Sequence, residues 1–225
     1  MKRQYNLVII AHPDDETIFF SGLIQRMRDL PWKIICVTDG NADHRKKSRL
    51  KEFETACIQL GVNDFELWNF PDKFEQRLDI DTLISKLKEL PSPHQIFTHG
   101  IIGEYGHPHH QDISYAVHKY FHTTNEVFSI SYNCYPEIVI NLTKKEYQIK
   151  TNILSKIYTK EINRFANLVP GTSTETFSQV SFEELENIYL HITEKKILNK
   201  QKLSKYHWLA GHIETTLSGE TKRLF

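Results

Sequence analysis

Short apolar segments alternate with amphipathic helical segments through the first half of the chain. Four segments have the apolar runs or alternation typical of strands, and they cover residues 7–11, 33–38, 65–70 and 95–99. Three segments between them have apolar residues at helical spacing, and they cover residues 17–27, 45–60 and 80–90. The connections are short enough for right-handed βαβ crossovers. We therefore predict an α/β fold that is Rossmann-like, with a mostly parallel sheet and helices on both of its faces.

The second half of the chain has less regular patterning. Its predicted elements, in order, are a helix (111–121), two strands (127–134 and 137–142), a helix (144–165), a loop (167–178) and a helical segment (182–212). We predict one domain over residues 1–225, in which 182–225 forms a C-terminal helical extension. The lysine-rich run 194–205 is predicted to be a solvated helix face.

Charge and cysteine content narrow the classes of partner. Lysine plus arginine and aspartate plus glutamate each number 28, so net charge gives no indication of a nucleic acid or an anionic membrane surface. No stretch approaches the ~20 apolar residues of a membrane span, and the N-terminal apolar run is too short for a signal peptide. The three cysteines are widely spaced and indicate neither a disulfide framework nor a thiolate zinc site. We predict a reduced, cytoplasmic setting.

A histidine and three carboxylates lie where the first strand ends and the first helix begins, in Ala11-His12-Pro13-Asp14-Asp15-Glu16. Carboxylates at a helix start are common, because they cap free backbone N–H groups and suit the helix dipole. Capping does not require a histidine, however. This position is also the crevice at the carboxyl ends of strands, where open α/β sheets bind ligands.

A second polar stretch, residues 103–112, follows the fourth strand and opens the next helix. It contains His107 and His110, which are three residues apart and can project into one pocket from the start of a helix. The two stretches emerge at the same edge of a doubly wound sheet. Imidazole and carboxylate groups together suit zinc or another divalent ion. The two stretches together predict a metal site.

These two stretches also resemble a known family. His12-Pro13-Asp14-Asp15-Glu16 and Gly106-His107-Pro108-His109-His110 resemble the two signature motifs of the LmbE-like, or PIG-L, N-acetylglucosaminyl deacetylases. Looser similarities are found at residues 37–40, 49–61, 70–72 and 150–158, so that the resemblance covers roughly residues 5–178. It implies hydrolytic removal of an N-acetyl group from an N-acetylglucosamine-type amino sugar or its conjugate.

The resemblance implies a metal centre and a base. His12, Asp15 and His110 would hold one Zn²⁺ per chain, with another divalent metal as the alternative. Asp14 would be the general base, and its place beside Asp15 in sequence lets it accept a proton from water at the metal. Amide hydrolysis at neutral pH suits zinc, which lowers the pKa of a bound water to ~7.

The resemblance also implies roles around the substrate. His107 would stabilise the oxyanion or protonate the leaving amine, in a charged form that a neighbouring carboxylate favours. Tyr105 would assist at the oxyanion, and Arg49 and Asp72 would hold sugar hydroxyls.

Three features depart from the family pattern. His109 stands where many members carry an acidic or other residue. Competition for the metal and positioning of His107 are both open roles for it, and neither is assigned. The loop at residues 41–44 lies near the expected substrate mouth and differs from the family's acidic or glycine-rich segment. The tail after residue 182 is distinctive, and packing as an extra helix and contact within a homo-oligomer are both open roles for it.

Three further functions compete with the deacetylase hypothesis. One is a zinc amidohydrolase with a non-sugar acyl-amide substrate, and another is a non-catalytic sugar-binding relative. The third, a nucleotide-binding Rossmann domain, requires Gly-x-Gly-x-x-Gly after the first strand, where this chain has His12-Pro13-Asp14-Asp15, and it is rejected. The sequence does not choose among free sugars, nucleotide sugars, lipid-linked sugars and thiol conjugates.

Overall fold

A computed structural model of the chain describes residues 4–73, 76–164 and 172–217. The strands are β1 (Asn6–Ile10), β2 (Trp32–Thr38), β3 (Asp64–Phe70), β4 (Gln95–Thr98), β5 (Glu126–Ile130), β6 (Ile138–Asn141) and β7 (Thr174–Ser178). The α-helices are α1 (Asp15–Arg26), α2 (Lys46–Leu60), α3 (Ile80–Leu87), α4 (Gly103–Gly106), α5 (Pro108–Phe121), α6 (Lys144–Lys156), α7 (Thr159–Arg164) and α8 (Phe182–Glu194). Short helical turns follow at Lys200–Lys202, His207–Leu209, Ala210–His212 and Ile213–Leu217.

The strands form one seven-stranded sheet in the order β3-β2-β1-β4-β5-β7-β6. Strands β1 to β5 pair in parallel, and β7 runs antiparallel to both of its neighbours, β5 and β6. Both faces carry helices, and helical segments follow β7. The predicted fold class is confirmed.

Strand β1 is buried on both faces, which explains its continuous apolar run. Val8 and Ile10 pack into the cluster that includes residues of α1, α2 and α6. Leu7 and Ile9 pack on the opposite face with residues of α3 and α5. All four side chains are fully buried. The strand is therefore held in the core, and it fixes the position of the loop that follows it.

The strand order reverses at β1, since β2 lies on one side of it and β4 on the other. Such a switch point opens a crevice at the carboxyl ends of the two strands, and open α/β sheets bind ligands there. The loop after β1 begins at Ala11 and the loop after β4 begins at His99, so the two polar stretches meet in this crevice.

Several element boundaries differ from the prediction. Helix α5 begins at Pro108, where proline suits the first turn, so it includes His109 and His110. The predicted helix over 144–165 ends at Lys156 and resumes as α7, and its residue 165 lies outside the described residues. Helix α8 ends at Glu194 because Lys195 adopts a left-handed conformation with φ 56°, so the helical prediction to residue 212 is wrong there.

The prediction of a loop over 167–178 is wrong at its C-terminal end, where Thr174–Ser178 form strand β7. Residues 167–171 of the predicted loop, including Pro170-Gly171, lie outside the described residues. In β7 the inward positions are Glu175 and Phe177. Glu175 hides the apolar/polar alternation that would indicate a strand, because it occupies an inward position where an apolar residue is expected. It is buried because Lys150 Nζ lies 3.0 Å from its Oε1 and Gly22 N–H donates to its Oε2 at 2.9 Å.

The predicted helical extension packs on the main body as a third apolar cluster, in which Leu185 and Ile188 of α8 lie beside Ile101 and Tyr115. Residues 218–225 of this extension lie outside the described residues. Among the residues that the structure describes, no helix combines the length and apolar character that a membrane crossing needs.

We expect Glu175→Gln to lower the free energy of unfolding by about 3–5 kcal/mol, because it leaves the buried Lys150 ammonium without a counter-charge. The matched control is Glu137→Gln, which removes one partner of the exposed pair Glu137–Lys205 and is expected to cost about 0–1 kcal/mol. Urea unfolding followed by circular dichroism measures both variants. Equal stability of the two variants would contradict the structural role of Glu175.

Candidate metal centre

The turn from β1 into α1 is strained at Asp14. This residue has φ 124°, which a residue other than glycine rarely adopts. Its backbone N–H donates to Glu16 Oε2 at 3.0 Å, and its carbonyl accepts the N–H of Thr17 and Ile18, each at 2.9 Å. Observed strain of this kind clusters at functional sites, where the surrounding structure holds it.

Three predicted ligand atoms form a small triangle in the crevice. His12 Nδ1 and His110 Nε2 each lie 3.6 Å from Asp15 Oδ2, and they lie 3.3 Å from each other. A point equidistant from three such corners is about 2.0 Å from each, which matches the bond lengths of zinc to imidazole nitrogen and carboxylate oxygen. The donor set and its spacing therefore fit one divalent cation.

Glu104 orients His110. Glu104 Oε2 lies 2.5 Å from His110 Nδ1, and both side chains are fully buried. Burial raises the pKa of Glu104, but the neighbouring His99 and His110 outweigh this and lower it to about 2. The ionised carboxylate accepts a hydrogen bond from the Nδ1–H group of His110. The lone pair of Nε2 is therefore free to face the triangle. A carboxylate behind a histidine ligand is the usual arrangement in zinc sites.

Sequence reasoning missed Glu104 as a site residue. It lies in the single turn α4, a stretch without apolar periodicity, and its orientation depends on a positive φ of 56° that interrupts the helical backbone. The available signal was a carboxylate six residues before the ligand histidine, in a stretch that already carried the motif.

His99 is an alternative ligand by distance, since its Nε2 lies 3.4 Å from Asp15 Oδ2 and its ring stacks on His110 at 3.8 Å between centroids. Its Nε2 accepts the N–H of Ala11 at 3.0 Å, however, and its Nδ1 lies 3.1 Å from Glu104 Oε2. Both ring nitrogens of His99 thus have protein partners. We assign it to the support of the site.

Arg49 lies behind Asp14. Its Nη2 donates to the Pro13 carbonyl at 2.5 Å and lies 3.7 Å from Asp14 Oδ2, while Nη1 lies 2.8 Å from Glu161 Oε1. Only 5% of Arg49 is exposed. Burial raises the pKa of Asp14 well above its usual range, against the lowering effect of the Arg49 guanidinium. Contact of Arg49 with sugar hydroxyls stays a prediction, and the structure gives this residue a role in holding the Asp14 loop.

Asp72 connects the triangle to a cavity. Its Oδ1 lies 3.6 Å from His12 Nε2, and its backbone N–H donates to Asp39 Oδ1 at 3.1 Å. The cavity has a volume of about 340 Å³ and lies between the loops after β2 and β3. Its lining residues are Asp39, Asn41, Ala42, His44, Pro71, Asp72 and Lys73. The loop that the sequence placed near the substrate mouth therefore forms one wall of a cavity beside the candidate centre.

His107 and Tyr105 flank the triangle. The His107 ring lies 4.5 Å from that of His12 and 4.7 Å from that of His110, between centroids. Burial, then the neighbouring His12 and His110, lowers the pKa of His107 well below its usual range, so the expectation that a carboxylate keeps it charged does not hold. Its Nδ1 accepts the His109 N–H at 3.2 Å, which leaves a proton on Nε2. Tyr105 is 38% exposed, with its ring centroid 5.5 Å from that of His110.

The protonation states of the three predicted ligands indicate that binding of a cation would release about one proton near neutral pH. Burial lowers the pKa of His12, but the Asp15 and Asp72 carboxylates outweigh it and raise the pKa to about 10. Asp15 is ionised, because nearby histidines outweigh its burial and lower its pKa, and burial lowers the pKa of His110. The proton on His12 must leave before a cation binds.

Affinity for zinc is therefore expected to rise about tenfold per pH unit below pH 10, since each unit raises the deprotonated, metal-binding fraction of His12 tenfold. Calorimetric zinc titrations at pH 6, in two buffers of different ionisation enthalpy, count the protons released. At that pH a zinc-bound water with a pKa of ~7 keeps most of its own proton. A count near zero would contradict the protonated His12.

The chain resembles known proteins both in sequence, which gives its family, and in fold. The sequence profile of the GlcNAc-PI de-N-acetylase family, PIG-L, matches residues 7–121. An uncharacterised protein of Acanthamoeba polyphaga mimivirus is 29% identical over 170 residues, which cover 68% of this chain and 74% of that protein. The N-acetylglucosaminyl-phosphatidylinositol de-N-acetylase of Saccharomyces cerevisiae is 33% identical over 91 residues, and these cover 36% of this chain but only 30% of the yeast protein.

Two solved structures have the same fold. The N,N'-diacetylchitobiose deacetylase of Pyrococcus horikoshii aligns with a TM-score of 0.54 and 20% identity, over 80% of this chain and 85% of its own. A deacetylase–teicoplanin complex aligns with a TM-score of 0.58 and 14% identity, over 79% of this chain and 100% of its own. At these identities the likeness shows the architecture alone.

Proposed function

Since this chain belongs to the GlcNAc-PI de-N-acetylase family, PIG-L, we propose that it is a zinc-dependent N-deacetylase. Its proposed substrate is an N-acetylglucosamine-type amino sugar or a conjugate of one. The observation that carries the proposal is the triangle of His12 Nδ1, Asp15 Oδ2 and His110 Nε2, with pairwise distances of 3.3 and 3.6 Å. Asp14 precedes one corner of this triangle in sequence and supplies the base.

A divalent cation bound at the triangle would lower the pKa of a coordinated water to ~7 and polarise the acetyl carbonyl. Asp14 accepts the proton of the attacking water as its oxygen adds to the carbonyl carbon. The raised pKa of Asp14 suits this task, because a base must bind the proton once it arrives. The C–N bond then breaks, the proton passes to the amine, and acetate is released.

His107 is assigned to the oxyanion. A neutral His107 ring carries its proton on Nε2, because Nδ1 accepts the His109 N–H. An N–H donor in a buried site stabilises the charge that develops on the carbonyl oxygen. The neutral form of His107 therefore favours stabilisation of the oxyanion over initial proton donation to the amine. Tyr105 is assigned to assist at the oxyanion from the exposed side of the site.

The sugar is proposed to occupy the cavity beside Asp72. Asp39, Asn41 and Asp72 line it, and carboxylate and amide groups pair well with hydroxyl groups. A non-sugar acyl amide uses fewer of these groups, so the cavity supports the sugar reading over the alternative amidohydrolase. The proposal includes a reduced cytoplasmic setting, which the free cysteines Cys36, Cys57 and Cys134 support.

Acetate release by the zinc-loaded protein tests the proposal. The substrates are free N-acetylglucosamine, a nucleotide sugar, a lipid-linked sugar, a thiol conjugate and a non-sugar N-acetyl amide. We expect release from at least one sugar and its loss after chelation, with recovery on adding zinc. Release from the non-sugar amide alone supports the alternative hydrolase. Sugar binding without acetate release from any substrate supports a non-catalytic relative and overturns the proposal.

A further inference from the structure

A second group of metal-binding atoms shares His12 with the first. While Nδ1 of His12 faces Asp15 and His110, its Nε2 faces His109 and Asp72. The distances are 3.2 Å from His12 Nε2 to His109 Nδ1, and 3.6 Å from Asp72 Oδ1 to each of these nitrogens. The point equidistant from these three atoms is again about 2.0 Å from each, within the range of zinc–ligand bonds.

The hydrogen bonds of His109 fix which of its nitrogens has a free lone pair. His109 Nε2 lies 2.9 Å from the carbonyl oxygen of Gln76, which can only accept, so Nε2 carries the ring proton. His109 Nδ1 therefore directs its lone pair toward His12 and Asp72. His109 is 2% exposed, so the ring is held in this orientation by its surroundings.

We propose that His12 Nε2, His109 Nδ1 and Asp72 Oδ1 form a second divalent-cation site, which fills when zinc is in excess. The cation replaces the proton that His12 Nε2 shares with these two neighbours, and that proton leaves to solvent. The His12 ring then bridges two cations. The second site is the weaker one, because its cation displaces a shared proton and is repelled by the cation already bound.

The second site is the outer one of the two. The side chain of Asp72 is 12% exposed, compared with 4% for Asp15 and 0% for His110. Asp72 also lines the cavity assigned to the sugar. A cation bound to Asp72 occupies the carboxylate that is proposed to hold a substrate hydroxyl. Excess zinc is therefore expected to compete with the substrate for Asp72.

The test counts zinc per chain by mass spectrometry after dialysis against zinc from equimolar to large excess. We expect the wild-type protein to bind one zinc and then a second, and His109→Ala to bind one. The matched control is His44→Ala, which removes an exposed histidine from the cavity wall and should retain both. No substrate enters this measurement, so its result is independent of the proposed deacetylase activity.

Two results would overturn the second site. One is saturation of the wild-type protein at a single zinc, and the other is a second zinc that His109→Ala retains. If His109→Ala binds no zinc because its fold is disturbed, Asp72→Asn decides, since it keeps the size of the side chain. One zinc in Asp72→Asn supports the site, and two zinc ions exclude it. Inhibition by excess zinc that disappears in His109→Ala is a second readout for the same site.

Discussion

Asp14→Asn is expected to keep its zinc and to lose about 10²–10⁴-fold in turnover, the range that a positioned general base contributes. Asparagine has the same shape as aspartate but accepts no proton at its amide. It also tolerates a positive φ better than most residues, so the strained turn at φ 124° is retained. The loss is therefore in the chemical step and leaves the fold and the metal triangle in place.

Three measurements separate these effects for Asp14→Asn: acetate release for turnover, mass spectrometry for zinc content and thermal unfolding for stability. The control is Asp29→Asn, an exposed aspartate in the loop after α1, which should change none of the three. Asp14→Ala is expected to lose turnover in the same way, with an added cost in stability at the strained φ. Wild-type turnover in Asp14→Asn would show that another group is the base.

His110→Ala is expected to lose zinc and activity together, because it removes one corner of the triangle. Glu104→Gln gives a graded version of the same loss, since it keeps the ligand but weakens the acceptor behind His110 Nδ1. Loss of such a supporting partner typically costs 10–100-fold in metal affinity. We expect metal affinity to fall in the order wild type, Glu104→Gln, His110→Ala.

Zinc titration against a competing chelator measures this order. The control is His118→Ala, which removes another buried histidine from the same helix, one that contacts Ser114 and Ser129 rather than the triangle. His118→Ala should lower stability yet retain zinc at wild-type affinity. Loss of zinc in His118→Ala equal to that in His110→Ala would mean that damage to α5 explains both variants.

The parts of the fold that follow local rules could be predicted from the sequence. The continuous apolar run of β1 reflects burial on both faces, and Gly61 ends α2 in the left-handed conformation with φ 84°. Strand β7 could not be predicted, because the charge of Glu175 is neutralised by Lys150, which is 25 residues earlier in the chain.

The same limit applies to the candidate site. The proximity of the expected ligand residues could be predicted, because the two motifs follow adjacent parallel strands. Their proximity depends on the sheet topology alone. The orientation of His110 depends on Glu104, and the orientation of His109 toward His12 depends on the position of the Gln76 carbonyl. These contacts join helix α5 to neighbouring segments whose placement no local pattern encodes.

The position of β7 has a consequence for the order in which this protein can assemble on the ribosome. Strand β7 is the last strand in the described chain, yet it lies inside the sheet, between β5 and β6. Within the described residues β6 pairs with β7 alone. A nascent chain that ends before residue 174 therefore leaves β6 without a partner and β5 with an open edge, a template for pairing with other chains. Completion of the sheet has to wait until residue 178 has emerged, so truncations before β7 should aggregate even though both metal-binding motifs are already made.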